Sequence, residues 1–248
     1  MTQVAQHDME TLFDHGAHFG YSRSRRHPSA AKFIFGNKDK NDIFDLEITQ
    51  ECLVKAREFV SQLARSGKTI LFVGGKNEAI AIVKAAAQRV GVPYVAGRWI
   101  GGTLTNFSEI QKRLKRLEHL RGERDKGERD KYTKRERLMM DREIEELENR
   151  FGGIVDMQSV PAALFIVDTH YEDKAVREAN ELAIPVVGLA NSDCDFSKVA
   201  YPIPANDSVV KSIRYFVEEI AKAYEEGKSH APENKPEEAG QTAQPVSS

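Results

Sequence analysis

Short runs that are apolar on both faces constrain this chain more than any other feature. They lie within "KTILFVGG" (68–75), "VPYVA" (92–96), "AALFIVD" (162–168) and "IPVVGLA" (184–190), with "AYPIPA" (200–205) as a weaker fifth. A strand without a polar face belongs in a sheet covered on both sides. Helical patterns over 49–66, 76–90, 172–182 and 207–226 fall between and after these runs. Thr49 and Asp207 are the expected N-caps of the first and last helix. Strand alternating with helix predicts an α/β fold in three layers, a parallel sheet of about five strands with right-handed crossovers.

The segment 106–151 breaks this rhythm. Phe107, Ile110, Leu114 and Leu117 form one apolar stripe, and Met140, Ile144, Leu147 and Phe151 form another. Both carry coiled-coil spacing. Between them the pentapeptide GERDK occurs twice, at 122–126 and 127–131. Lacking apolar residues, it is expected to form the solvated tip of an inserted coiled-coil hairpin. Asn106 with Glu109 is expected to cap the outgoing helix, and Thr133 with Glu136 the returning one. Gly152 and Gly153 then return the chain to the sheet. The expected division is an α/β domain from 1–105 and 152–227, a hairpin over 106–151, and a disordered tail over 228–248, poor in hydrophobes.

Hydrophobic residues make up 40% and charged residues 30% of the chain, which excludes a disordered protein. No apolar run approaches the ~18 residues of a membrane helix, and the N-terminal sequence lacks a signal-peptide layout. Two distant cysteines, Cys52 and Cys194, suggest a reducing, cytoplasmic setting. The net charge of -2 is uninformative, but its distribution is not. Arg23, Arg25, Arg26, Lys32, Lys38 and Lys40 cluster early, basic residues dominate 112–142, and acids dominate after Glu218. Such segregation gives a surface one anion-facing side.

Enzyme and cofactor readings find little support. "SGKT" (66–69) follows a helix and opens a strand, the reverse of a phosphate-binding loop, and Gln62 stands where that loop needs glycine. "FVGGKNEA" (72–79) has the right order but not the dinucleotide spacing. His15 and His18 lack ligand-spaced companions, so no metal is expected. His15, His18, Asp168 and His170 are candidate acids or bases, yet nothing places a nucleophile beside them. No cofactor is expected.

"GRWIGGTLTNF" (97–107) stands at the carboxyl end of a strand and at the start of the insert. Gly97, Gly101 and Gly102 supply turn conformations. Trp99 and Asn106 complete an expected anchor for the arm, while Arg98 can pair with a carboxylate or meet a phosphate. In 18–46, basic residues alternate with small polar and aromatic ones. Arg23, Arg25, Arg26 and Lys32 are read as flexible phosphate contacts. Lys112, Arg113 and Arg116 share one helix face and form a second candidate contact.

"HFGYSRSRRHPSAAKFIFG", "GRWIGGTLTNF", "FGGIVDM", "PAALFIVD" and "REANELAIPVVG" occur in an order that resembles the family of the second protein of the bacterial small ribosomal subunit. The resemblance spans about 15–224 and implies a flavodoxin-like sheet with a coiled-coil insert. It also implies a non-catalytic role: binding small-subunit ribosomal RNA and contacting other small-subunit proteins, including the large mRNA-binding one. The alternative is a flavodoxin-like enzyme or sensor for a phosphate-bearing small molecule. Tyr21 stands where the family usually has His, Arg26 where it has Trp, and Ala162 where it has Asp. In "LANSDC" (189–194), Leu189 replaces an acid and Cys194 a proline. Local polarity in that loop is therefore expected to differ.

Overall fold

The computed structural model describes residues 3–127 and 131–230. The chain opens with helix α1 (Gln3–Asp14), then β1 (Phe19–Ser22), β2 (Ile34–Lys38) and β3 (Asn41–Phe44). These three strands form an antiparallel sheet in the order β1-β3-β2. The stretch read as carrying phosphate-contacting arginines thus consists of strands and short helical turns. Its hairpin turn places Asp39 and Lys40 at positive φ without a glycine, so the usual turn signal is missing from the sequence. Ala30, Phe33 and Phe44 pack beneath this sheet with Ala190, Cys194 and Phe196.

Next come α2 (Leu46–Arg65), β4 (Ile70–Val73), α3 (Asn77–Val90) and β5 (Tyr94–Val95). Then follow α4 (Phe107–Asp125), α5 (Lys134–Phe151), β6 (Ala163–Val167), α6 (Asp173–Glu181), β7 (Val186–Ala190), β8 (Tyr201–Pro204) and α7 (Val210–Ser229). The main sheet is parallel, ordered β5-β4-β6-β7-β8. This is the doubly wound order whose switch point lies between β4 and β6.

Alternate residues of each strand serve opposite layers. Ile70, Phe72, Phe165 and Leu189 pack with α2, α3 and α7. Leu71, Val73, Leu164 and Ile166 join Trp99, α6 and the arm helices in a second cluster. The arm seam, Ile110, Leu114, Leu117 and Leu120 with Ile144, Leu147 and Phe151, belongs to that second cluster. Arg116 bridges to Glu143 at 3.0 and 3.1 Å, and Arg121 to Glu148 at 2.8 Å.

The caps at both ends of the main domain differ from expectation. Asp45 caps α2, accepting from Glu47 N at 3.0 Å. Thr49 lies inside that helix, and its hydroxyl donates to the Pro204 carbonyl at 2.7 Å, tying α2 to β8. Before α7, Asn206 accepts from the backbone of Ser208 and Val209 at 2.9 and 3.3 Å. Asp207 is turned inward instead, because Lys76 lies there. The cap expected of Asn106 is also corrected. It precedes α4 but makes no side-chain cap, and Glu109 pairs with Lys112 at 2.6 Å. The Thr133–Glu136 box is present.

The first GERDK is solvated at Arg124, Asp125 and Lys126, as expected, but not at Glu123. It closes α4, and Glu123 is buried, accepting from Lys131 at 3.2 Å and Tyr132 at 3.3 Å. Part of the second copy, 128–130, lies outside the described residues. So does most of the tail, 231–248, while α7 continues to Ser229.

Candidate functional site

Ligands of doubly wound sheets bind beyond the strand ends at the switch point. Here that position is filled from within. Gly75 N, which would face a phosphate, donates to the Glu172 carboxylate at 2.8 Å. Any side chain at position 75 would collide with the Gly97 carbonyl and with Glu172, which is why glycine is needed there. The Lys76 ammonium lies 3.1 Å from Asp168 and 3.4 Å from Asp207. The Tyr21 hydroxyl stands 3.4 Å from the same ammonium. Asn191 donates to Asp207 at 2.9 Å.

The electrostatics follow from burial. Removal from water pushes the Glu172 carboxyl up to about 7, opposed by the Gly75 amide and reinforced by Asp168. Burial also raises Asp207, with Asp168 adding to it and Lys76 opposing. Burial alone would drain the Lys76 charge, but Asp207 and Asp168 outweigh it and hold the ammonium above its ordinary range. A phosphate here would meet two carboxylates around one ammonium and a third already on the Gly75 amide, so anion binding at the switch point is disfavoured. Ligand atoms of Asp168, Cys194 and Asp207 lie within 4.8 Å of one another. Lys76 already compensates the two carboxylates, and burial keeps the Cys194 thiol protonated.

The loop 97–106 is organised by a residue the sequence reading missed. The Trp99 indole is buried and donates to Glu178 Oε1 at 3.0 Å. Gly102 N donates to the same oxygen at 2.8 Å, while Leu104 N and Thr105 N reach Oε2 at 2.9 and 3.3 Å. Burial pushes the Glu178 carboxyl up, but these donors outweigh it and hold it below its ordinary value. Glu178 shares the buried face of α6 with Ala175, Val176 and Ala179. An acid on an apolar stripe was the available signal. Gly102 adopts φ 86°, whereas Gly101 lies in open space without positive φ.

The predicted cations divide. Arg23, Arg25 and Lys32 are exposed on the small sheet and its turns. Arg25 stacks over the Tyr21 ring at 4.4 Å and stands 3.5 Å from Asp193. Arg26 grips fully buried Asp42 with two hydrogen bonds, 2.7 and 2.5 Å, which also locks β3 to the turn after β1. On the arm, Lys112 and Arg116 carry their ion pairs with Glu109 and Glu143, and Arg113 is exposed. Arg98 is exposed beside buried Trp99. His15 bonds the Thr11 carbonyl at 2.6 Å and His18 stacks on Phe13 at 4.4 Å, while His170 is exposed after β6.

A doubly wound sheet whose strand-end cleft is closed by its own side chains, with cations exposed on the turns beside it, describes an α/β scaffold. Comparison with known proteins agrees: the family model for ribosomal protein S2 matches residues 12–227. A protein of Nocardia farcinica named small ribosomal subunit protein uS2 is 45% identical over 219 residues, covering 88% of this chain and 77% of its own. One of the same name from Roseiflexus sp. is 43% identical over 231 residues, 92% of this chain and 88% of the relative. Another, from Nitratiruptor sp., is 43% identical over 220 residues, 89% and 82% respectively. The chain belongs to the ribosomal protein S2 family, whose members are structural and not enzymes.

Proposed function

We propose that this chain is a structural constituent of the small ribosomal subunit and holds ribosomal RNA by phosphate contacts. The observation that carries the reading is the placement of Arg23, Arg25 and Lys32. All three are exposed on the short helical turns between β1 and β2, and the neighbouring Arg26 is fixed to buried Asp42 on β3. Cations on a stiff support meet phosphates with little ordering cost, and such contacts position a protein without reading sequence. Arg26 supports this surface through that pairing. Arg98, Lys112, Arg113 and Arg116 add a second edge along the arm, where Lys112 and Arg116 exchange surface carboxylates for phosphate.

In this reading residues 1–105 and 152–227 are the platform and 106–151 is the arm. Trp99, Gly102 and Glu178 fix the arm root, with Gly101 and Asn106 completing the loop. Other small-subunit proteins, the large mRNA-binding one among them, are the expected protein neighbours, and the working place is the ribosome in the cytoplasm. The flavodoxin-like enzyme or sensor is not favoured, since carboxylates occupy the phosphate position.

The test is co-sedimentation with small subunits lacking this protein, followed by the salt dependence of ribosomal RNA binding. Association should weaken with salt at a log–log slope of about -0.9 per duplex phosphate contacted. A joint Arg23→Gln, Arg25→Gln and Lys32→Gln variant should flatten that slope. Salt-independent affinity, or failure to join subunits, would overturn the reading.

A further inference from the structure

A pocket of about 390 Å³ opens where β5 passes into the loop 97–106. Four cations line it from four separate elements: Lys84 on α3, Arg98 on the loop, Arg121 on α4 and Arg150 near the end of α5. Glu148 is the single carboxylate among the lining residues. Arg121 is bridged to it at 2.8 Å, and Arg150 is held by Glu146 at 2.8 Å. Lys84 and Arg98 are exposed and carry no ion pair among the described residues.

Like charges brought together from distant parts of a chain repel, and a fold tolerates this where an anion completes the set. The neighbouring switch point shows the opposite balance, with carboxylates gathered around Lys76. One end of the sheet therefore bears a self-compensated cleft beside a pocket with surplus positive charge. The pocket exceeds the size of a phosphate group, leaving room for bridging water.

We infer that this pocket binds a phosphodiester group of RNA, with Lys84 and Arg98 as its direct ligands. Arg121 and Arg150, each held by a glutamate, frame the pocket beside them. The inference rests on the RNA-binding reading above and adds a structural consequence. Lys84 belongs to the platform, whereas Arg121 and Arg150 belong to the arm, so a bound phosphate joins the two and sets the arm's angle.

The test uses the full chain and a Lys84→Gln/Arg98→Gln variant, whose changed side chains are both exposed. Ribosomal RNA affinity is measured against salt. Loss of this one phosphate contact should reduce the magnitude of the log–log slope by about 0.7 to 0.9. In parallel, inorganic phosphate and a dinucleoside monophosphate are titrated against the Trp99 indole N–H resonance, next to Arg98. The expected result is a shift in the parent chain with both, none in the variant, and the smaller slope.

An unchanged slope overturns the inference, even where inorganic phosphate shifts Trp99, because the pocket would then serve a small free anion. A dinucleotide shift that survives in the variant also overturns it. Failure of the parent chain to bind ribosomal RNA sinks the underlying reading instead, and is recognised before any variant is compared.

Discussion

Trp99 and Glu178, 79 positions apart, meet through a 3.0 Å hydrogen bond between the indole N–H and a carboxylate oxygen. The same carboxylate collects the backbone amides of Gly102, Leu104 and Thr105. One buried charge thus satisfies a whole irregular loop. Glu178→Gln replaces an acceptor oxygen with a donor facing other donors. It should cost about 2 to 3 kcal/mol. Amide exchange should accelerate at Gly102, Leu104 and Thr105 before it changes in β4 or β6. Equal protection in variant and parent would show that the carboxylate is dispensable.

Trp99→Ala removes both the hydrogen bond and a large buried ring from the cluster shared by sheet and arm. Hydrogen exchange should rise across 106–125 and 134–151 while β6 and β7 stay protected. Trp99→Phe keeps most of the packing and should fall between the two. Uniform loosening of the molecule would argue against a local anchoring role.

Lys76 places one ammonium between Asp168 and Asp207. Lys76→Met leaves two carboxylates facing each other in a dry site and should cost about 3 to 5 kcal/mol. Adding Asp207→Asn removes one of them and should recover part of that loss. Chemical denaturation of both single variants and the double variant measures the coupling. Additive losses would mean that the groups do not depend on one another.

The two thiols should differ sharply. Cys194 is fully buried, and burial pushes its thiol far above the reactive range. Cys52 is half-buried; burial raises it too, while Lys55 opposes. A disulfide-exchange reagent should leave Cys194 untouched in the native protein, modify Cys52 slowly, and titrate both after unfolding. Rapid labelling of Cys194 would show that the loop 189–194 opens readily.

The parallel sheet was legible because its strands are apolar on both sides, a pattern with few other solutions. The two helices over 107–125 and 134–151 were legible from their apolar stripes. The small antiparallel sheet was not, since Asp39 and Lys40 make its turn without a glycine or asparagine signal. Two expected caps failed for different reasons: Asp45 outcompeted Thr49, whereas α7 begins after Val209 without a side-chain cap and Asp207 turns inward to Lys76. The cations were visible in the sequence, but their partners were not. Arg26 with Asp42, and Glu178 with Trp99, are tertiary pairings that spacing along the chain does not encode.

The last prediction concerns acid. The folded protein holds the Glu172 carboxyl near pH 7, mainly through burial, with Asp168 adding to the effect and the Gly75 amide resisting it. The unfolded chain titrates it at its ordinary value. A raised carboxyl favours folding below the unfolded value, and that contribution is lost as pH rises through about 7. Above neutrality, burying the ionised group costs up to about 3 kcal/mol. Glu172→Gln keeps an oxygen for the Gly75 amide but carries no charge. Measured against its parent by denaturation, the variant should gain relative stability between about pH 5 and about pH 8, by up to that amount. A difference that stays flat across this window would mean that Glu172 ionises in the native protein much as it does in the unfolded chain.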